Sequence, residues 1–346
     1  MKEKMLKYLK NACPNKKDLQ INEFCNITTG WETEIFSFTI VFQENGNEKQ
    51  EELILRMYLG NFAENKAVKE YKSMKKLFEA KYPVPEPLLV EKDSSILGKP
   101  FMMMEKIDGE NMGKRFLTAL ETCDQEIINN MIIPKFCELF INLHDLDWAS
   151  ISDEKIKHVY SNPYSFIVNH LSNFEKKLDY FNKGELRPII KWLTDRIINV
   201  PCYKMSVIHQ DFHPHNILIT KNEEYYVIDW SSCSTGDFRL DLGWTLLLTY
   251  AFTSKEIRDK ILSTYENLSR EKVEEIEFFE VLAICRRLFD ISISFSQGAE
   301  ELGMRKEAVE KMKESGFHIK KVYSLLQEKT GISIKEIEKL IIEISE

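Results

Sequence analysis

Asp211, Asn216 and Asp229 lie in a stretch whose apolar and polar residues read as strand, loop and hairpin. Val207-Ile208 ends an apolar strand, and His209-Gln210-Asp211-Phe212-His213-Pro214-His215-Asn216 is a polar loop. Ile217–Thr220 and Tyr225–Ile228 are short strands separated by Lys221–Glu224. A four-residue turn would pair them antiparallel, with Thr220 opposite Tyr225 and Asn216 opposite Asp229. Directly opposed residues share a face, with Cβ atoms about 5 Å apart. An amide oxygen and a carboxylate at that separation form a site of the kind Mg²⁺ prefers, with phosphate and water completing it. Asp211 enters the same end of the hairpin, where an acid can take the proton of an attacking hydroxyl. Two other readings stand beside this one. His209, Asp211, His213 and His215 could form the transition-metal cluster of a metallohydrolase, or the stretch is an ordinary hairpin with polar ends.

Further elements must position these groups. Leu19–Ile27 and Ile35–Phe42 read as strands around the polar turn Thr28–Thr33. A small-residue turn between strands lets backbone N–H groups approach phosphates, which makes Thr29 and Gly30 candidates for covering a nucleotide. Glu51–Tyr58 is a strand with one cation, Arg56, among apolar residues; a solvated edge position is its plain account. A helix follows over Ala63–Ala80, and Tyr82-Pro83-Val84-Pro85 stops it because proline cannot continue a helix. Leu88–Glu91 and Pro100–Glu105 are the next strands, flanking a turn at Asp93-Ser94-Ser95. From Asn111 the spacing turns helical, with Gln125–Leu146 the clearest segment and Pro134 a candidate kink. Ser161–Phe181 and Glu185–Asn199 are expected to be further helices. Ser254 to Glu346 is expected to be helical with charged, solvated faces and no chemistry.

His-x-Asp-x4-Asn followed by a strand and Ile228-Asp229-Trp230 resembles the catalytic core of the aminoglycoside phosphotransferase/choline kinase-like superfamily. The resemblance covers about Thr28 to Trp244 and implies an α+β, protein-kinase-like bilobal fold. An N-lobe over 1–106 would hold an antiparallel sheet and a helix. A larger, mainly helical C-lobe over 107–346 would hold the catalytic hairpin. Position by position, Asp211 is implied to be the catalytic base, and Asn216 and Asp229 the Mg²⁺ ligands. Arg56 stands where such a lobe carries the cation for the α/β-phosphates, paired with a helix glutamate, taken as Glu70 with Glu64 the rival. Arg has a fixed fork where the superfamily often has the point charge of Lys. Phe101–Gly109 resembles the hinge, with Met104 lining the adenine pocket and backbone groups of Glu105 and Ile107 bonding its edge. Leu143-His144 matches a pair found before the catalytic loop, with His144 a hydrogen-bonded structural histidine. Gly236-Asp237-x3-Asp241 matches another recurring spacing. There Asp241 is expected to cap a helix and hold the loop's backbone, with Asp237 the other candidate for the cap. The implied co-substrate is ATP, or alternatively GTP.

The implied reaction moves a γ-phosphoryl group to a hydroxyl of a small molecule. Choline, ethanolamine, another metabolite such as homoserine, or a protein side chain are alternative acceptors. A non-catalytic nucleotide-binding regulator is the reading from another class. The net charge of −8 disfavours a broad basic surface for nucleic acid and would suit a cationic acceptor. No apolar run reaches the roughly 20 residues of a membrane span. Met1-Lys2-Glu3-Lys4-Met5-Leu6 lacks the uninterrupted apolar core of a signal peptide. Seven scattered cysteines without a Cys-x2-Cys read as reduced thiols, so a cytoplasmic protein is expected.

Overall fold

The computed structural model describes residues 1–28, 33–60, 62–151, 162–302, 304–305, 307–314 and 316–345. The chain divides into two compact units. The first is chiefly Met1–Glu110 with Leu218–Ser231, and the second chiefly Asn111–Ile217 with Ser232–Leu302 and the C-terminal helices.

In the first unit, period-two alternation builds a sheet with two different faces. Strands β1 (Lys17–Asn26), β2 (Thr33–Glu44), β3 (Asn47–Tyr58), β4 (Pro87–Glu91) and β5 (Phe101–Glu105) are ordered β1-β2-β3-β5-β4. Every neighbouring pair is antiparallel. Phe36, Phe38, Ile40 and Phe42 of β2 share a core with Leu53, Leu55 and Met57 of β3 and with Met5 and Leu9 of helix α1 (Lys2–Ala12). Because side chains alternate across a strand, Arg56 between Leu55 and Met57 must point to the opposite face. Helix α2 (Ala63–Glu79) buries Ala67, Glu70, Met74 and Leu77. The Asp93–Ser95 turn is elaborated into a short helical turn, Ser94–Leu97, which Asp93 caps by accepting from the Ser95 N–H.

Strands β6 (Gly109–Asn111), β8 (Ile217–Thr220) and β9 (Tyr225–Val227) form a three-stranded sheet in the order β6-β8-β9. The turn between β8 and β9 is shorter than expected. Glu223 N–H donates to the Thr220 carbonyl at 3.0 Å and Thr220 N–H donates to the Glu224 carbonyl at 2.9 Å. Glu223 has φ 57°, as in a three-residue loop closed by a left-handed bulge residue. Thr220 therefore opposes Glu224, one place earlier than the four-residue turn required. The count that put Asn216 opposite Asp229 fails with it. Asp229 itself has φ 67°, so it stands in a left-handed bend after β9. Trp230, fully buried, fixes that bend by donating Nε1–H to the Val227 carbonyl at 2.9 Å and by packing edge-on to Tyr82.

In the second unit, strand β7 (Met205–Ile208) pairs antiparallel with β10 (Ser234–Asp237), from Ile208↔Ser234 to Met205↔Asp237. This two-stranded ladder fixes the end from which the polar loop leaves Ile208. Asp237 then caps helix α3 (Phe238–Phe252) by accepting from the Arg239 N–H. The cap is thus Asp237; Asp241 sits inside the first turn. Helix α3 packs on helix α4 (Ile276–Ser296), which is buried along most of its length, contrary to the charged, solvated faces expected after Ser254. Their approach is close at Gly243, where an added Cβ would lie 2.8 Å from the Phe279 carbonyl carbon and oxygen. Gly243→Ala must push two backbones apart, so it should cost about 1–3 kcal/mol by overpacking, read as a lower midpoint in urea unfolding.

Upstream, Gln125–Leu146 is not one regular helix. A π-helical turn at Ile128–Ile132 precedes the helix Ile133–His144, with Pro134 in its first turn. Proline lacks the N–H and crowds the carbonyl four residues back, and the widened turn accommodates both. No described helix is long and apolar enough to cross a membrane.

Candidate active site

Arg56 is 6% exposed and Glu70 is fully buried, with Nε and Oε2 3.4 Å apart. Glu70 also accepts from the Tyr58 hydroxyl at 2.8 Å. Glu64 is half-exposed beside Lys92 instead. The helix glutamate paired with Arg56 is therefore Glu70. Arg56 Nη2 also donates to Asp229 Oδ1 at 2.5 Å, and Ser231 Oγ–H donates to the same oxygen at 3.2 Å. Burial acts to lower the Arg56 pKa, but the carboxylates of Asp229 and Glu70 outweigh it and hold the guanidinium above its ordinary value. Burial beside Glu70 raises the Tyr58 phenol, which stays neutral as a donor. Tyr58 was not singled out from the sequence. Its position two residues after Arg56, on the same strand face, is the signal that could have found it.

Arg56 pairs with Met102 and Ile54 with Met104 across β3 and β5, so Met104 shares the face that carries Arg56. Glu105 N–H donates to the Glu86 carbonyl and Lys106 N–H to the Glu52 carbonyl, which hold the chain on both sides where it leaves β5 toward Ile107. Thr29 and Gly30 lie outside the described residues.

In the second unit the polar loop is pinned at successive residues. Asp241, fully buried, accepts from the His209 N–H at 2.6 Å and the Gln210 N–H at 2.7 Å. Asp241 therefore holds the loop's backbone as the sequence implied. Gln210 takes a left-handed φ of 65°, a conformation that costs a non-glycine residue about 1–2 kcal/mol. Its side chain compensates by donating to the Ser232 carbonyl and Ser234 Oγ. Phe212 stacks on Phe140 with ring centroids 4.1 Å apart, and Thr245 Oγ1–H donates to its carbonyl at 2.6 Å. His144 bridges Tyr265 and Asp241 as a buried structural histidine. Asp241→Ala removes the acceptor of the buried His209 N–H, at roughly 1–3 kcal/mol, and of the part-buried Gln210 N–H at less. Thermal unfolding should show a drop of several degrees, more than Asp241→Asn, which keeps one acceptor oxygen.

Asp211 emerges from this scaffold with its side chain 39% exposed. Oδ1 accepts from the Trp244 indole N–H at 2.9 Å, and Oδ2 lies 3.5 Å from His213 Nε2. Burial acts to raise its carboxyl, but His213, Trp244 and Arg286 outweigh it and hold the group well below the usual carboxylate range. The Asn216 amide donates to the Asp211 carbonyl at 3.0 Å, which spends its nitrogen and leaves Oδ1 as its donor to a cation. Trp244 and Arg286 are the members of this group that sequence reasoning missed.

Taken separately, the Asn216 amide oxygen of the second unit and the Asp229 carboxylate of the first, 38% exposed, are oxygen donors of the hard kind that Mg²⁺ takes. Among the described residues no group of three or more His, Cys, Asp or Glu is placed to hold a metal ion. His215 instead bonds Asn111, and the His209 Nδ1 accepts from the Asp211 N–H.

The chain belongs to the phosphotransferase enzyme family, whose defining pattern matches residues 36–276. Its fold is the kinase-like α+β fold of aminoglycoside phosphotransferases and choline kinase. A thermostable variant of aminoglycoside phosphotransferase APH(4)-Ia, in a ternary complex with ADP and hygromycin B, superimposes with a TM-score of 0.60 at 14% identity, covering 95% of this chain and 99% of that one. Choline kinase LicA from Streptococcus pneumoniae gives a TM-score of 0.55 at 16% identity over 92% and 99% of the two chains. Acyl-CoA dehydrogenase family member 11 from Gallus gallus is 25% identical over 224 residues, 61% of this chain. The chain spans 27% of that relative's length.

Proposed function

We propose that this protein transfers the γ-phosphoryl group of ATP to a hydroxyl of a small molecule, with GTP as the other candidate donor. The single observation that carries the reading is Asp211. It is a partly exposed carboxylate kept ionised by His213, Trp244 and Arg286, on a loop whose backbone groups are tied down around it. In phosphoryl transfer the protein's work is mostly positioning and charge stabilisation. A pre-ionised acid fits that task, because it orients the acceptor hydroxyl and takes its proton as the bond to phosphorus forms.

The other residues have separable roles. Arg56, braced by Glu70 and Tyr58, neutralises phosphate charge. The phosphate-covering role of Thr29 and Gly30 rests on the sequence alone. Met104 lines the adenine site, and the Glu105 carbonyl and Ile107 N–H bond the base edge. Asn216 and Asp229 would each offer Mg²⁺ an oxygen donor, and the ion would supply charge neutralisation to the phosphates.

The nucleotide complex of the APH(4)-Ia relative supports ATP chemistry, and the choline kinase relative keeps amino alcohols among the acceptors to be tried. The test is ATP consumption with Mg²⁺ against aminoglycosides, macrolides, amino alcohols, sugars, nucleosides and hydroxy acids, beside thermal shifts with ATP and GTP analogues. Stabilisation by nucleotide with turnover on one acceptor class is expected. Stabilisation with no turnover on any would favour the non-catalytic regulator.

A further inference from the structure

Helix α4, the buried helix of the second unit, carries Arg286, Arg287 and Asp290 within one turn and a quarter, beside Asp211. Arg287 is turned inward, donating through Nη2 to His318 at 2.8 Å. Arg286 is different, because its side chain is 34% exposed. Its guanidinium lies 3.9 Å over the Trp244 ring, and Nη1 donates to the Gln210 carbonyl at 2.9 Å. Trp244 is the residue whose indole N–H holds Asp211. One aromatic ring thus joins a half-exposed, pre-oriented cation to the proposed base. A guanidinium has five N–H donors in a planar fork. One is spent on Gln210, and Asp290 Oδ2 stands at 4.0 Å from Nε, beyond hydrogen-bond reach.

The surrounding charges do not cancel this cation. Lys177, Arg286 and Arg287 all act on Asp290, together with Asp211. Three cations therefore face two carboxylates. Burial pushes the Asp290 carboxyl up despite the cations. His170 is pushed down to about 4, by burial and then by Lys177 and Arg286, so it is neutral at pH 7. The net charge of −8 that suited a cationic acceptor is not repeated at this place.

We propose that Arg286 anchors an oxyanion on the acceptor, so that the molecule phosphorylated is an alcohol bearing a carboxylate or phosphate group. The inference rests on the phosphotransferase reading and deepens it by naming the acceptor class. A planar fork matches the two oxygens of such a group. Anchoring there would bring a hydroxyl elsewhere on the same molecule toward Asp211. Arg286 is in this account a specificity residue, not a participant in the bond changes.

The experiment uses the full chain with Mg²⁺ and ATP against four arms: short hydroxy acids, their neutral amides, sugar phosphates, and amino alcohols with aminoglycosides. The expected result is turnover on the hydroxy acids or the sugar phosphates, whichever carries the fitting anion, and little on the amides or cations. Arg286→Gln should raise the KM for that acceptor about 10–100-fold, the loss of a charged hydrogen-bond donor. Arg286→Lys should restore part of it, since the charge returns without the fork. A nucleotide thermal shift in each variant controls for folding. Preference for cationic or neutral acceptors overturns the inference and leaves the phosphotransferase reading intact. So does a fall in kcat for every acceptor alike with the charge preference unchanged, which marks Arg286 as a brace for Gln210 and Trp244. Failure of every arm to accept phosphate overturns both.

Discussion

Asp211→Ala is expected to cut turnover by about 10²–10⁴, the usual range for losing an acid–base group, while nucleotide affinity stays close to that of the wild type. The geometry gives the reason for the split. Asp211 reaches Trp244 and His213 through its two oxygens, and the residues assigned to phosphate and magnesium are others. Asp211→Asn separates two contributions, because the amide still accepts from Trp244 but has no charge and takes no proton. Its rate should resemble that of the alanine variant if the charge matters, and the wild-type rate if only the hydrogen bond does. The pH dependence follows from the direction of the shift. A carboxyl held well below its usual range is already ionised throughout the range where enzymes are assayed. Turnover should therefore show no acid limb from this group as pH falls from neutral toward the ordinary carboxylate range near 4. A single-ionisation limb near pH 6 that disappears in Asp211→Asn would contradict the claim that this carboxyl is held low, while leaving Asp211 as the base.

Asp229→Ala should abolish the Mg²⁺ dependence of nucleotide binding. In the wild type, titration with a non-hydrolysable ATP analogue should give markedly tighter binding when Mg²⁺ is added, and in the variant the two titrations should coincide. The Asp229 carboxylate accepts from Arg56 and Ser231. Its removal leaves the buried Arg56 with Glu70 as its remaining carboxylate partner in the Asp229–Arg56–Glu70 chain. Stripping one partner from a buried charge costs about 3–5 kcal/mol when the pair is fully desolvated. Asp229 is 38% exposed, so solvent screens part of that and a smaller loss of stability is expected. Asp229→Asn keeps an acceptor for Arg56 and distinguishes the causes. Loss of Mg²⁺ dependence with folding preserved identifies the metal role, whereas equal Mg²⁺ dependence in both variants removes Asp229 from the metal site.

What could be read in the sequence was whatever depends on local pattern. The alternation around Phe36, Phe38, Ile40 and Phe42 specifies strand β2 and its buried face, and Arg56 among apolar neighbours marks a cation that needs a partner. Choosing Glu70 over Glu64 required knowing which face of α2 is buried, and only packing decides that. The β8–β9 register failed for a different reason. A left-handed bulge at Glu223 shortens the loop by one, and glutamate carries no signal for that conformation, unlike glycine or asparagine. Asp241 was legible as the loop's backbone anchor because its spacing matched the resemblance. Arg286 was not, because it lies 75 positions beyond Asp211 in the chain (286 − 211). Its helix was expected to present a solvated charged face and is buried along most of its length. A side chain that reaches a site from a distant helix leaves no spacing to read.

The most direct measurement is the fate of the γ-phosphate. After incubation of the wild-type protein with Mg²⁺, labelled ATP and the acceptor panel, phosphorus NMR should find the label in a phosphate ester of one acceptor, in amounts matching the ADP formed. Label recovered only as inorganic phosphate, or ATP left intact with every acceptor, would contradict the claim that this protein moves a phosphoryl group to an alcohol.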